Sequence, residues 1–242
     1  MDLPFLLDTF ITLLARVPLT LNLAFSSLAM GALLGAVLAL LRLSKSKLAV
    51  TFGDTYLFLF RGTPLLIQIF LIYYGLGQYR QTFEALGVWG FFRDAYWCAV
   101  LALTLNTAAY ASEIFRGGVL SVPHQAIEAA RACGMSGFLL VRRIIAPLAV
   151  RNALPAYSNE FILMLKATSL ASIITVMEVT GTAAKLISET FRTIEIFAVA
   201  GFIYLSINFL LTRGFMAVEW RLTRHHRPVT ERAVAKIEAR YG

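Results

Sequence analysis

Twenty-three consecutive residues carry no charge, LTLNLAFSSLAMGALLGAVLALL from Leu19 to Leu41. Coiled as an α-helix, a run of this length reaches about 34 Å, enough to cross a hydrocarbon core of about 30 Å. Lipid offers no water to pair with backbone N–H and C=O groups, so a spanning segment must satisfy them internally, and a helix does so. Apolar runs of similar length recur at Tyr56–Leu76, Ala95–Phe115, Tyr157–Val179 and Ile196–Met216. Arg61 and Gln68 lie in the second, and Glu160 and Lys166 interrupt the fourth. The expectation is an all-α integral membrane protein with five transmembrane helices, forming one domain over 1–242.

Composition agrees with this class. Hydrophobic residues make up 58% of the chain, charged residues only 15%, and the mean hydropathy is +0.71. A soluble domain carries roughly 25% charged residues. The net charge of +8 would suggest nucleic acid in a soluble protein, but here no folded soluble surface carries a basic patch. The cations are distributed by loop instead. Fifteen of the 22 Lys and Arg fall after the first run, between the third and fourth, or in the tail from Arg213. The opposite loops and the N-terminal segment hold five, namely Arg16, Arg80, Arg93, Lys185 and Arg192. By the positive-inside rule the N-terminus is outside and the C-terminus cytoplasmic.

Two cysteines, Cys98 and Cys133, fall at different levels of this topology and make neither a disulfide nor a zinc framework. His124, His225 and His226 show no metal-ligand spacing, and the last two belong to a basic tail suited to anionic lipid. The opening MDLPFLLDTF has an acid where a cleavable signal carries positive charge. Phe5, Leu6, Phe10, Leu13, Leu14 and Val17 form one face of an interfacial helix.

The polar stretch SVPHQAIEAARACGMSG, Ser121–Gly137, lies between apolar runs on the cytoplasmic side. It predicts a short helix near 122–134. Ser121 is a candidate cap, Pro123 fits a first turn and Gly134 suits a left-handed stop. Ala126, Ala129, Ala130 and Cys133 recur at i, i+3, i+4 and i+7 and share a small, flat face. Such a face lets another surface approach the backbone closely; spacing alone also permits a helix lying on the chain's own spans.

The stretch EAARACGMSGFLLVRRIIAPLAVRNALP resembles the EAA loop of binding-protein-dependent ABC importer permeases through Glu128, Ala129, Ala130 and Gly134. Where that pattern has Leu-Pro, this chain has Ala146-Pro147. FRGTPLLIQIFLIYYGLG, AAYASEIFRGGVLSVPHQAIEAA and LPAYSNEFILMLKATSLAS are similar to the polar amino-acid branch, most of all to second permeases of histidine/arginine and opine (octopine, nopaline) systems. Glutamine-type relatives often have Asp after the lysine of KATSL; Ala167 stands here.

The resemblance implies a type I ABC importer transmembrane domain in a bacterial inner membrane, with the helix near 122–134 as a cytoplasmic coupling helix docked on an ATPase. It also implies two ATPase copies, which hold ATP and Mg, a second homologous permease forming a heterodimer, and an extracytoplasmic amino-acid-binding protein. The chain itself lacks G-x-x-x-x-G-K-[ST] and is expected to bind no cofactor and to catalyse no covalent step.

Charges inside spans find partners or serve function. Arg61 and Glu113, both at cytoplasmic span ends, are a candidate ion pair between the second and third spans. Glu160 and Lys166 are candidates for the substrate path, the lysine facing a substrate carboxylate and the glutamate an ammonium or cationic side chain. Six helical positions separate them by about 240°, so sharing one ligand requires a bend, which Thr168 and Ser169 could provide. The expected substrates are basic amino acids (arginine, histidine, lysine, ornithine) or opines, with other polar amino acids such as glutamine as the alternative. A self-sufficient secondary transporter or channel, or a membrane enzyme, would show internal repeats or a catalytic constellation, and neither is evident.

Overall fold

The computed structural model describes residues 2–222, and all regular structure among them is helical. The tail beyond Leu222, with His225 and His226, lies outside the described residues. Among the described residues three helical stretches are long and apolar enough to cross a membrane: Leu3–Arg42, Ala95–Leu120 and Thr193–Arg221. Two further bent pairs qualify only when each is taken as one broken span, so the candidates number three to five.

The first stretch comprises α1 (Leu3–Leu14) and α2 (Val17–Arg42). The amphipathic face of α1 does not lie free. Leu13 is fully buried with Val179, Ala183, Ile196 and Ala200, and Phe5 and Phe10 pack against this cluster. Outside it, Arg192 stacks on the Phe5 ring and pairs with Asp2 at 3.0 Å.

Helix α2 packs most extensively on α7 (Ala95–Leu120). Gly31 and Gly35 make that approach possible. A Cβ at Gly35 would stand 2.7 Å from the Ala111 Cβ and 3.0 Å from the Ala108 carbonyl oxygen. With little hydrophobic drive between helices in lipid, such close contact of small residues supplies the packing energy.

The expected 56–76 span is instead two helices, α3 (Lys47–Gly62) and the stretch Leu65–Gly75 that opens with α4 (Leu65–Phe70), meeting at 101°. Pro64 causes the break, because its ring drives Thr63 out of the helical region to φ −116°, ψ 142°. The carbonyls freed at the end of α3 are recaptured. The Gln68 amide donates to the Phe60 and Thr63 carbonyls at 2.9 and 3.1 Å, and Asn106 of α7 donates to Phe60 at 3.2 Å and to Gln68 Oε1 at 3.0 Å. Short helices α5 (Arg80–Ala85) and α6 (Trp89–Phe92) connect to α7.

After α8 (His124–Ala132), α9 (Gly137–Leu140) and a π-turn lead into α10 (Ala146–Ala167), which continues as a 3₁₀ segment, Thr168–Ile174. The expected run to Val179 ends at an elbow of 45° before α11 (Val179–Thr190). Glu178 sits in this elbow with no exposed surface. Its carboxylate caps α11 by accepting from Gly181 N at 2.8 Å, and also accepts from the hydroxyls of Tyr204 at 2.8 Å and Thr20 at 3.4 Å. One buried side chain thereby joins α2, α11 and α12 (Thr193–Leu222).

Candidate functional site

Between α7 and α9, α8 falls within the expected 122–134 stretch, but its caps differ from expectation. Ser121 closes α7 and bonds to the Gly118 carbonyl at 2.9 Å, and Pro123 itself occupies the N-cap position with no side-chain bond. Gly134 takes φ +80°, the left-handed value that glycine tolerates. The four small residues do not form one free face. Ala130 is buried against the chain and Ala126 is half-buried, while Glu128, Ala129 and Cys133 are exposed. Burial centres between Ala126 and Ala130, beside Ile127, so the chain's own packing claims half of the small surface and offers a partner the other half.

At the end of α2, the structure corrects the Arg61–Glu113 pair. Glu113 binds Arg42 through one oxygen at 2.6 Å and Arg116 through the other at 2.6 Å. Arg42 also reaches Asp54 of α3 at 2.7 Å. Arg42 has an arm for each carboxylate, and Arg116 lies one turn from Glu113 on the same helix, so both outcompete Arg61. The Arg61 guanidinium instead lies over the Tyr110 ring, 5.2 Å from its centroid, and among the described residues it has no carboxylate partner.

Within α10, Glu160 is 7% exposed and accepts a 2.8 Å hydrogen bond on Oε1 from Thr107 of α7. Neighbouring contacts fix its register, since Tyr157 donates to the Leu28 carbonyl at 3.0 Å and the Phe161 ring meets Phe25 edge-on at 4.8 Å. Lys166 is exposed and has no ion-pair partner among the described residues. The helix stays α-helical through both residues and becomes 3₁₀ only at Thr168, so the bend at Thr168 and Ser169 comes too late to bring them to one face. The arrangement is a buried carboxylate fixed inside the protomer and two cations, Arg61 and Lys166, presented at its surface.

Sequence reading found the charges because each stood out in an apolar run. It missed Thr107, the Gln68–Asn106 brace, and the Glu178 network with Thr20 and Tyr204. Their signal is modest: hydroxyls and amides in helices, and a Glu three residues before a Gly.

Among the described residues the chain is all-helical, with three helical stretches long and apolar enough to cross a membrane and charged side chains set among apolar ones, the build of an integral membrane protein. The comparisons agree. Residues 31–224 match the model of the binding-protein-dependent transport system inner membrane component. The octopine transport system permease protein OccM of Rhizobium meliloti is 58% identical, the match covering 90% of this chain and 89% of that protein. The histidine/lysine/arginine/ornithine transport system permease protein HisM of Salmonella typhimurium is 44% identical, covering 86% of this chain and 89% of that protein. A crystal structure of an amino acid ABC transporter with histidines superposes with a TM-score of 0.81 at 32% identity, covering 91% of this chain and 99% of that one. The chain belongs to the family of binding-protein-dependent transport system inner membrane components. It is a permease subunit of an ABC importer and not itself the ATPase.

Proposed function

We propose that this chain lines half of a path for cationic amino acids or opines, with Glu160 contacting the substrate's cationic group and Lys166, on another face of α10, meeting its carboxylate at a separate point along the path. Glu160 carries the reading. A carboxylate buried in a span is costly unless it serves function, and a guanidinium or ammonium is the group it best accepts. The similarity to an octopine permease and to a histidine/lysine/arginine/ornithine permease supports the same class, since those ligands pair a cationic or ionisable group with a carboxylate.

In this reading each bent pair is one span, giving five, with the N-terminus outside and the C-terminus in the cytoplasm. Helix α8 is the coupling helix, and Glu128, Ala129 and Cys133 with the Gly134 stop meet a groove on the ATPase. Ala126 and Ala130 act behind them as packing. A second, homologous permease completes a heterodimeric pore. Two copies of the ATPase hold ATP and Mg, and an extracytoplasmic binding protein delivers substrate to the loops at 77–94 and 181–195. The resemblance of the EAA stretch and the loop distribution of Lys and Arg support this assembly.

The test is uptake of radiolabelled arginine and octopine by the complete assembly in vesicles. Glu160→Gln and Lys166→Met are each expected to slow uptake of the favoured substrate by at least about tenfold, the loss of one charge-assisted contact. Uptake at the wild-type rate in both variants would remove the two residues from the path.

A further inference from the structure

We infer that Thr107 is the positioning residue for the Glu160 carboxylate, and that residue 31 is glycine because α2 holds Thr107 in the rotamer this requires. The inference rests on the reading of Glu160 as a substrate contact and adds what keeps that contact in place.

Threonine in a helix divides between rotamers because its hydroxyl can turn back to a carbonyl one turn earlier. Thr107 does not turn back. Its Oγ1 donates to Glu160 Oε1 at 2.8 Å, and the whole side chain is buried. Behind it, the methyl lies against Gly31 so closely that a Cβ there would stand 2.0 Å from Thr107 Cγ2. Glycine on α2 therefore makes the pocket for the methyl, and the methyl's seat directs the hydroxyl toward α10. The bond holds one carboxylate oxygen. Among the described residues the other oxygen, Oε2, accepts no hydrogen bond, and it is the one the proposal assigns to a cation. The three helices that meet at Glu160 form one device: α2 sets Thr107, α7 carries it, and α10 receives its hydrogen bond.

The experiment is equilibrium binding of radiolabelled arginine to the detergent-purified complex of both permeases with the ATPase, without binding protein. Thr107→Val keeps the shape and removes the hydroxyl; arginine binding is expected to weaken about tenfold. Thr107→Ser keeps the hydroxyl and is expected to bind within about threefold of wild type. Gly31→Ala is expected to weaken binding like Thr107→Val, and Gly31→Ala combined with Thr107→Ser to recover most of it, because serine lacks the methyl 2.0 Å from the new Cβ and leaves the Thr104 carbonyl oxygen, at 3.2 Å, as the nearest contact. In a Glu160→Gln background Thr107→Val is expected to add no further loss. If Glu160→Gln weakens binding and Thr107→Val does not, the positioning role is wrong and the Glu160 reading stands. If Glu160→Gln binds as wild type, both fail. Failure of Thr107→Ser to recover the Gly31→Ala variant would also overturn the role of glycine.

Discussion

Arg42 is the side chain on which α2, α3 and α7 converge. Its side chain is only 12% exposed, with Asp54 on one arm and Glu113 on another. Lysine offers a point charge where arginine offers a planar fork, so it can serve one carboxylate well but not both. Arg42→Ala is expected to lower stability by about 2 kcal/mol, the scale of hydrogen bonds to charged groups. Arg42→Lys should fall between that variant and wild type. Thermal unfolding of the purified complex in detergent measures both, and an Arg42→Ala midpoint equal to wild type would mean that the pairs carry no net stability. Sequence placed Glu113 correctly as a paired charge and chose the wrong partner. Arg42 follows directly on an apolar run and reads as a positive-inside loop residue, and nothing in its spacing reveals that α3 folds back beside it. Thr107 was invisible for a related reason. A threonine in a helix has no pattern of its own, and its meaning comes from Gly31 and Glu160, 76 and 53 positions away in the sequence.

Elements were legible where hydropathy and backbone chemistry agree. Leu19–Leu41 lies inside α2, and the third and fifth runs lie inside α7 and α12. Hydropathy ran straight through the two breaks. Pro64 was a readable signal that the surrounding apolar residues masked. The elbow at Thr175–Glu178 had weaker signals, because its left-handed residue is Thr175 at φ 69° and not a glycine. The tightness of that elbow gives a sharp prediction. A Cβ on Gly181 would stand 2.2 Å from the Val176 carbonyl oxygen, whereas one on Gly201 would meet nothing within 4 Å. Gly181→Ala is expected to destabilise by about 1–3 kcal/mol, the usual cost of overpacking. Gly201→Ala should be neutral or slightly stabilising, since alanine is the better helix former. Equal unfolding midpoints for the two variants would show that the elbow relaxes without cost.

At the scale of the whole molecule, a permease subunit that is not itself the ATPase must receive force from a partner and pass it to its helices. Helix α8 fits that place by its two-sided burial. Ile127 and Ala130 seat it on the chain, and Ala129 and Cys133 face outward. The most direct measurement is arginine uptake and binding-protein-stimulated ATP hydrolysis by the complete assembly in proteoliposomes, wild type against Ala129→Trp. Residue 129 is exposed on this chain, so the indole has room on the permease and meets only what docks there. Uptake and stimulated hydrolysis are both expected to fall to the level seen without binding protein, while the subunit folds and inserts normally. Wild-type uptake and stimulation in the Ala129→Trp assembly would contradict this expectation and make α8 a surface helix with no part in coupling.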